Sequence, residues 1–387
     1  MHVLIAPDAF KGSLTQKEAC RIIEKGIKTA CEKIETTLLP LSDGGEGMLD
    51  VCVEMFPGAK AYRISAFDPL MRPIDATYLY MRETKTIYVE MAKVSSLLLV
   101  DDEERDVFHA STYGLGHLLK QAIDIHDVRH LIIGIGGSAT NDGGAGFLQA
   151  LGAKIMDEHG KQINPGNNAL STIKTIDSSF FDQAYALLNV TVLCDVDNPL
   201  LGERGATYTY AEQKDASHGD LSVLEDNLAY FHKKMKEETG QDHAEMEGAG
   251  AAGGMGYALS FFKHVRLISG AQYFLNHAED RGYFKSVDVI LTGEGRCDHQ
   301  SMHGKVIGRL RDMSLRHKYR LIVFTGTVDG VFPADAPDGI TRIITINKDV
   351  LALKENMKKT SEHLKAAAYQ YARGHLCEKE EIRDENP

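Results

Sequence analysis

The stretch His130 to Leu151 restricts the fold of this 387-residue chain more than any other. It opens with His130-Leu131-Ile132-Ile133-Gly134, an apolar, branched run that reads as a buried strand. Glycines then crowd the positions from Gly134 to Gly146, and Phe147 to Leu151 returns to apolar helix formers. The predicted order is strand, glycine loop, helix. Glycine allows positive φ and close approach of a ligand to the backbone. A helix start adds unpaired N–H groups and partial positive charge, which suit phosphate. Gly136, Gly137, Ser138, Asn141 and Asp142 are therefore the candidates for nucleotide or phosphate contact, with Thr140 in the same loop. The alternative is a glycine-rich turn that only packs a helix on a sheet.

The same order recurs along the chain. Val3-Leu4-Ile5-Ala6 is a strand that ends in Pro7-Asp8-Ala9-Phe10-Lys11-Gly12-Ser13. Thr15 and Glu18 form a capping box for a helix whose apolar face is Ala19, Ile22, Ile23, Ile27 and Ala30. Asp8, Lys11 and Ser13 thus lie between a strand end and a helix start, where open α/β sheets bind ligands. Thr36 to Leu41 is a second strand, followed by Asp43-Gly44-Gly45-Glu46-Gly47, which shares D-G-G-x-G with Asp142 to Gly146. The shared pattern suggests two helix starts built for similar jobs. Further strands are Ala76–Met81 paired with Thr86–Met91, Val190–Cys194, Val287–Leu291, Leu321–Phe324 and Ile343–Ile346. Helices are expected over Leu221–Thr239, Tyr257–Phe262 and Val350 to about Arg373, with a frayed acidic end. Strand–helix alternation gives the α/β class with mainly parallel sheets. Two domains are expected: a discontinuous flavodoxin-like α/β domain (1–66 and 286–387) and an inserted α/β domain (67–285), with a hinge at Phe67–Pro73 and the site in the cleft.

A net charge of −12 argues against nucleic acid or an anionic membrane as partner. Six scattered cysteines with no C-x-x-C pair fit reduced thiols in a cytoplasmic protein. No apolar run approaches membrane-spanning length.

Separate strand ends carry acids or amides: Asp8, Asp43 with Glu46, Asn141 with Asp142, Asp195 with Asn198, and Glu294 with Asp298. Each alone could be a turn former or helix cap. Together they resemble a site for a metal–nucleotide and a hydroxylated substrate. Hard oxygen ligands suit magnesium, for which Glu46 and Glu294 are the candidates. Lys11, Arg296 and Lys305 are the natural anion partners, against the plainer reading as solvated surface cations. Gly304-Lys305 lacks the rest of a P-loop, since Val306 follows. Gly134 to Ala139 matches G-x-G-x-x-A, with Asp157 downstream, which keeps a Rossmann dinucleotide site open. The polar, glycine-rich Thr140–Gly146 counts against it, as does the lack of a histidine base at a strand end. Such histidines as His126, His130, His232 and His243 lie in surface-like stretches.

These residues resemble the type I glycerate kinase family nearly end to end. The resemblance rests on Ile5 to Ser13, Asp43 to Gly47, Gly134 to Gly146, Cys194 to Leu200, Gly248 to Gly256, and Thr292 to Arg296 with Asp298, Gln300 and Gly304-Lys305. It implies a two-domain kinase that uses ATP and Mg2+ on D-glycerate, with 2-phosphoglycerate as product for bacterial members. Two segments depart from the family pattern. Phe108 to Gly116 lacks its threonine-rich run, and Ala211-Glu212-Gln213-Lys214-Asp215-Ala216 stands where the family has Gly-Pro-Gln-Lys-Gly-Ala.

The expected reaction is phosphoryl transfer from ATP to a hydroxyl of glycerate, achieved by positioning and charge neutralisation. Asp195, Asp43 and Lys11 are the catalytic candidates, with Asp195 preferred as base because it follows directly from an apolar strand. Asp8, Ser13, Arg296 and Asp298 are assigned to substrate, with Arg296 as the carboxylate anchor. Lys305 joins the phosphate-binding set. The rival readings are a nicotinamide-dependent oxidoreductase on a hydroxy acid and a non-catalytic nucleotide or sugar-acid binder.

Overall fold

The computed structural model describes residues 1–302, 304–328, 337–347 and 353–377. The chain forms two compact units, Met1–Asp43 with Ser269–Pro387, and Gly44–Ile268. In chain order the strands are β1 (His2–Ile5), β2 (Glu35–Leu38), β3 (Ala59–Phe67), β4 (Pro73–Met81), β5 (Thr86–Glu90), β6 (His130–Gly134), β7 (Lys154–Met156), β8 (Thr175–Asp177), β9 (Asn189–Leu193), β10 (His264–Ile268), β11 (Val289–Cys297), β12 (Arg320–Val328) and β13 (Arg342–Thr345).

The discontinuous unit holds a five-stranded sheet in the order β13-β12-β11-β1-β2, with every pairing parallel. Counted within the unit this is 2-1-3-4-5, the flavodoxin-like order, and connections diverge to opposite sides between β1 and β11. Parallel strands are covered on both faces, so they read as continuous apolar runs. Val3, Leu4 and Ile5 are fully buried, as are Val289, Ile290 and Leu291. The helix Gln16–Ala30 starts on the expected Thr15–Glu18 capping box. It buries Ala19, Cys20, Ile23 and Ile27, and each isoleucine contributes about 1.5–3 kcal/mol by leaving water. Its partner is the helix Leu353–His375. Gly26 permits the close crossing, because a Cβ there would stand 2.6 Å from the Lys365 carbonyl oxygen. The expected helix start at Val350 and the acidic end beyond Cys377 lie outside the described residues.

The inserted unit is built on a six-stranded sheet, β10-β9-β6-β5-β4-β3. Its β10, β9, β6 and β5 run parallel, while β5, β4 and β3 form antiparallel neighbours. The pairing of β7 with β8 forms a separate ribbon. Among the described residues, no helix is long and apolar enough to cross a membrane.

Several expectations change. The units exchange at 43/44 and 268/269 rather than at 66/67 and 285/286. The reason is that β3 pairs along its whole length with β4, which ties residues 59–67 to the inserted sheet. Phe67–Pro73 is consequently the tight end of a hairpin, not a hinge. Buried Asp68 closes it by accepting from the Leu70 and Arg72 backbone N–H groups at 2.9 and 2.8 Å. The helix expected over Tyr257–Phe262 instead spans Ala251–Leu259, interrupted near its start by left-handed Ala252, Gly253 and Gly254 of the glycine-rich run 248–256. His126 is half-buried: it stacks on Tyr80 at 4.0 Å and bonds the Tyr78 hydroxyl.

Candidate active site

In the discontinuous unit, three acids meet one lysine at the carboxyl ends of neighbouring strands. Asp8 follows β1, Asp43 follows β2, and Glu294 lies on β11. This is the point where the strand order reverses, the usual ligand crevice of an open parallel sheet. Lys11 Nζ stands 3.0 Å from Asp43 Oδ2, with the lysine side chain 62% exposed and the aspartate 12%. Asp43 chiefly holds the Lys11 ammonium above its ordinary pKa, against the effect of partial burial, with Asp8 adding to it. Asp8 is buried, and its Oδ1 accepts from the Ala9 N–H at 2.7 Å. Burial, then the Asp43 carboxylate, pushes Asp8 well above the usual carboxylate range, opposed by Lys11. Glu294 is pushed up to about 7, chiefly by burial, while Ser301 and Lys305 oppose the shift. One lysine thus serves more negative charge than it can neutralise, and the group favours an incoming cation or a hydrogen-bonding hydroxyl.

Farther along the same crest, Asp298 closes a local turn with Ser301, accepting from its backbone N–H at 3.0 Å. Arg296 is exposed at the end of β11, and Ser13 is half-buried, its N–H donating to the Phe10 carbonyl. Lys305 occupies the N-cap of the helix Val306–His317, which has no side-chain cap. That leaves the start of this helix open to an anion.

The two D-G-G-x-G helix starts of the inserted unit behave otherwise. At the helix Met48–Met55, Glu90 of β5 accepts from the Gly47 and Leu49 N–H groups, both at 3.0 Å. At the helix Ala145–Leu151, fully buried Asp142 accepts from Gly144 and Gly146 N–H at 3.1 and 3.3 Å. It also accepts from Thr112 N–H at 2.8 Å and from the Ser111 and Thr112 hydroxyls. Internal carboxylates therefore occupy the N–H groups that the sequence pattern offered to phosphate. Burial raises both acids, and these donors oppose it. Asp142 is a clamp within the loop and not a ligand group. Asn141 is buried as well, its Nδ2 donating to Thr207 Oγ1 at 3.2 Å. What the loop presents outward is Gly136, half-buried, and Gly137, exposed with φ +77°. Asp195 is half-buried just beyond β9, and Glu46 is exposed beside the first glycine turn.

A sequence model of the glycerate kinase family matches residues 3–375. The chain belongs to the glycerate kinase family. A glycerate kinase of Halalkalibacterium halodurans is 36% identical over 95% of this chain and 96% of its own length. A glycerate 2-kinase of Escherichia coli is 36% identical over 89% and 91%. The crystal structure of a candidate glycerate kinase 2 from Salmonella typhimurium LT2 superposes with a TM-score of 0.79 at 32% identity, covering 98% of this chain and 99% of that one. The protein is accordingly a phosphotransferase of α/β fold.

Membership in this kinase family leaves the dinucleotide alternative without support, and the local geometry agrees. Asp157 caps an exposed turn after β7, accepting from His159 and Lys161 N–H, instead of ending a strand beside the glycine loop. Among the described residues no three His, Cys, Asp or Glu side chains, the Asp8, Asp43 and Glu294 group included, are placed to hold a metal ion by themselves. Magnesium needs only one or two carboxylates when phosphates complete its shell. Glu294 fits that need, because among the described residues its buried Oε1 has no hydrogen-bond partner, and burial outweighs the help that Ser301 and Lys305 give its charged form. The sequence places Lys214 only within the 211–216 segment that departs from the family pattern and assigns it no role. Lys214 is 2% exposed, and its ammonium donates to Ser138 Oγ at 3.1 Å and to the Thr140 carbonyl at 2.7 Å. A lysine among Glu212 and Asp215 gives no sequence signal of burial.

Proposed function

We propose that the protein transfers the γ-phosphoryl group of ATP to D-glycerate and forms 2-phosphoglycerate. The observation that carries this reading is the Asp8–Lys11–Asp43–Glu294 group at the strand-order reversal, in a chain whose family match spans residues 3–375. Phosphoryl transfer needs charge neutralisation and an aimed hydroxyl more than covalent help from the protein. Magnesium would supply positive charge against the phosphates, with Glu294 as its ligand in the discontinuous unit. Lys11, held charged by Asp43, binds an anionic oxygen. Arg296 takes the glycerate carboxylate through its planar fork, and Asp8, Ser13 and Asp298 bind the substrate's hydroxyl groups. Lys305 and the open helix start behind it take phosphate, as do Gly136, Gly137 and Ser138 of the loop. Asp195 is the base that receives the hydroxyl proton, since Asp43 is committed to Lys11 at 3.0 Å. The chemistry suits the ATP supply and reduced thiols of a cytoplasm.

Purified protein with magnesium and ATP should release ADP only when D-glycerate is added. A change in NADH with a hydroxy acid would favour an oxidoreductase. A ligand-induced rise in Tm with neither product would reduce the protein to a binder.

A further inference from the structure

Lys214 lies in a short turn, Glu212–Lys214, and its side chain runs beneath the glycine loop that follows β6. Both of its hydrogen-bond partners are neutral oxygens, Ser138 Oγ and the Thr140 carbonyl. Among the described residues it forms no ion pair. The charge that acts on it is Asp142, whose own oxygens are taken by Ser111, Thr112, Gly144 and Gly146. Burial moves the lysine down to about 7, and Asp142 opposes this. Glu212 and Asp215 of its own segment are exposed. A buried ammonium without a carboxylate costs several kcal/mol and is destabilising unless something compensates it.

The direction of the Ser138 bond shows what the lysine does there. In its charged form Lys214 can only donate, and the 3.1 Å bond runs from Nζ to Ser138 Oγ, which is then the acceptor. Its own proton must then point elsewhere, and among the described residues it meets no other acceptor. Ser138 is 8% exposed, next to exposed Gly137. The loop is fixed from its other side, where Ser96 bridges Ser138 and Ala139 N–H donates to the Ser95 carbonyl at 2.8 Å. Donor and charge are thus held in place before any ligand arrives, and a pre-positioned charge loses less on binding than a flexible surface cation.

We propose that Lys214 is a positioning residue, the buried counter-charge of the glycine loop, which turns the Ser138 hydroxyl outward as a donor to an anionic oxygen of one substrate. The inference rests on the kinase reading above. The shared chemistry is a phosphate oxygen of the nucleotide or the carboxylate of glycerate, and the two are separated by titrating each alone.

The test is titration calorimetry of the full chain with magnesium and β,γ-imido-ATP, and separately with D-glycerate. Lys214→Met keeps length and apolar volume while removing the charge, and Ser138→Ala removes the donor. The expected result is a loss of tenfold or more in affinity for one ligand, with the other within twofold and Tm within a few degrees of the parent. The double variant should lose no more than Lys214→Met alone, because both substitutions act on one bond. Unchanged affinity for both ligands, equal loss for both, or additive losses would overturn the proposal. Should Lys214→Met not fold, Ser138→Ala decides: a selective loss of fivefold or more supports the proposal, and anything smaller overturns it. Failure of the parent to release ADP with glycerate counts against the kinase reading alone, since these affinities are read without turnover.

Discussion

The discontinuous unit and the inserted unit both gather carboxylates at strand ends, but they spend them differently. Burial raises acids in both units, but around Lys11 the carboxylates of Asp8, Asp43 and Glu294 crowd one another with Lys11, and Lys305 at Glu294, as their opposing charges. In the inserted unit, Glu90 and Asp142 are each tied to backbone N–H groups at a helix start. The first arrangement leaves charge uncompensated at a crevice and invites a ligand. The second satisfies the backbone and makes a rigid loop. An acid next to glycine can serve either end, and burial together with the number of donors decides which.

The largest effect should come from Asp195→Asn, which asks whether the inserted unit also presents a working acid. Losing a general base should lower kcat about 10²–10⁴-fold with both ligands still bound. Parent-level turnover in steady-state kinetics would pass the role to Asp43 and sharpen the contrast between the units. Asp142→Ala should come next. It strands several buried donors, so urea denaturation should show a loss of about 3 kcal/mol. A loss below about 1 kcal/mol would mean that Asp142 is not the clamp described.

Glu294 gives a smaller effect with a definite sign. Its folded pKa, about 7, lies above its ordinary value of 4.5. Between those values the folded state binds more protons than the unfolded state, so stability falls as pH rises and levels off above about 7. Glu294→Gln should flatten this slope, by at most about 3 kcal/mol across the interval. An unchanged slope in denaturation curves at pH 5 and 8 would place the uncompensated charge elsewhere. Gly137→Ala should cost least, about 1–2 kcal/mol, because the residue is exposed and only its left-handed backbone resists a Cβ.

The sequence made the discontinuous unit readable because its parallel strands are buried on both faces, as in Val3-Leu4-Ile5 and Val289-Ile290-Leu291. Edge strand β3, Ala-Lys-Ala-Tyr-Arg-Ile-Ser-Ala-Phe, escaped notice because solvent on one side mixes charged residues into it. With β3 unseen, the unit boundary moved and a hairpin passed for a hinge. At the site, residue type located the acids and Lys11, but which way an acid turns depends on its partners. Asp142 turns inward because Thr112, far away in sequence, supplies two donors. Lys214 was hidden for the same reason, since its partners lie more than seventy positions away.

The most direct test of the central claim is product identity. The protein should convert D-glycerate, ATP and magnesium to ADP and 2-phosphoglycerate in equal amounts, seen by phosphorus NMR and by immediate consumption with enolase at 240 nm. ADP without a phosphorylated glycerate, or a product that enolase accepts only after a mutase is added, would contradict it.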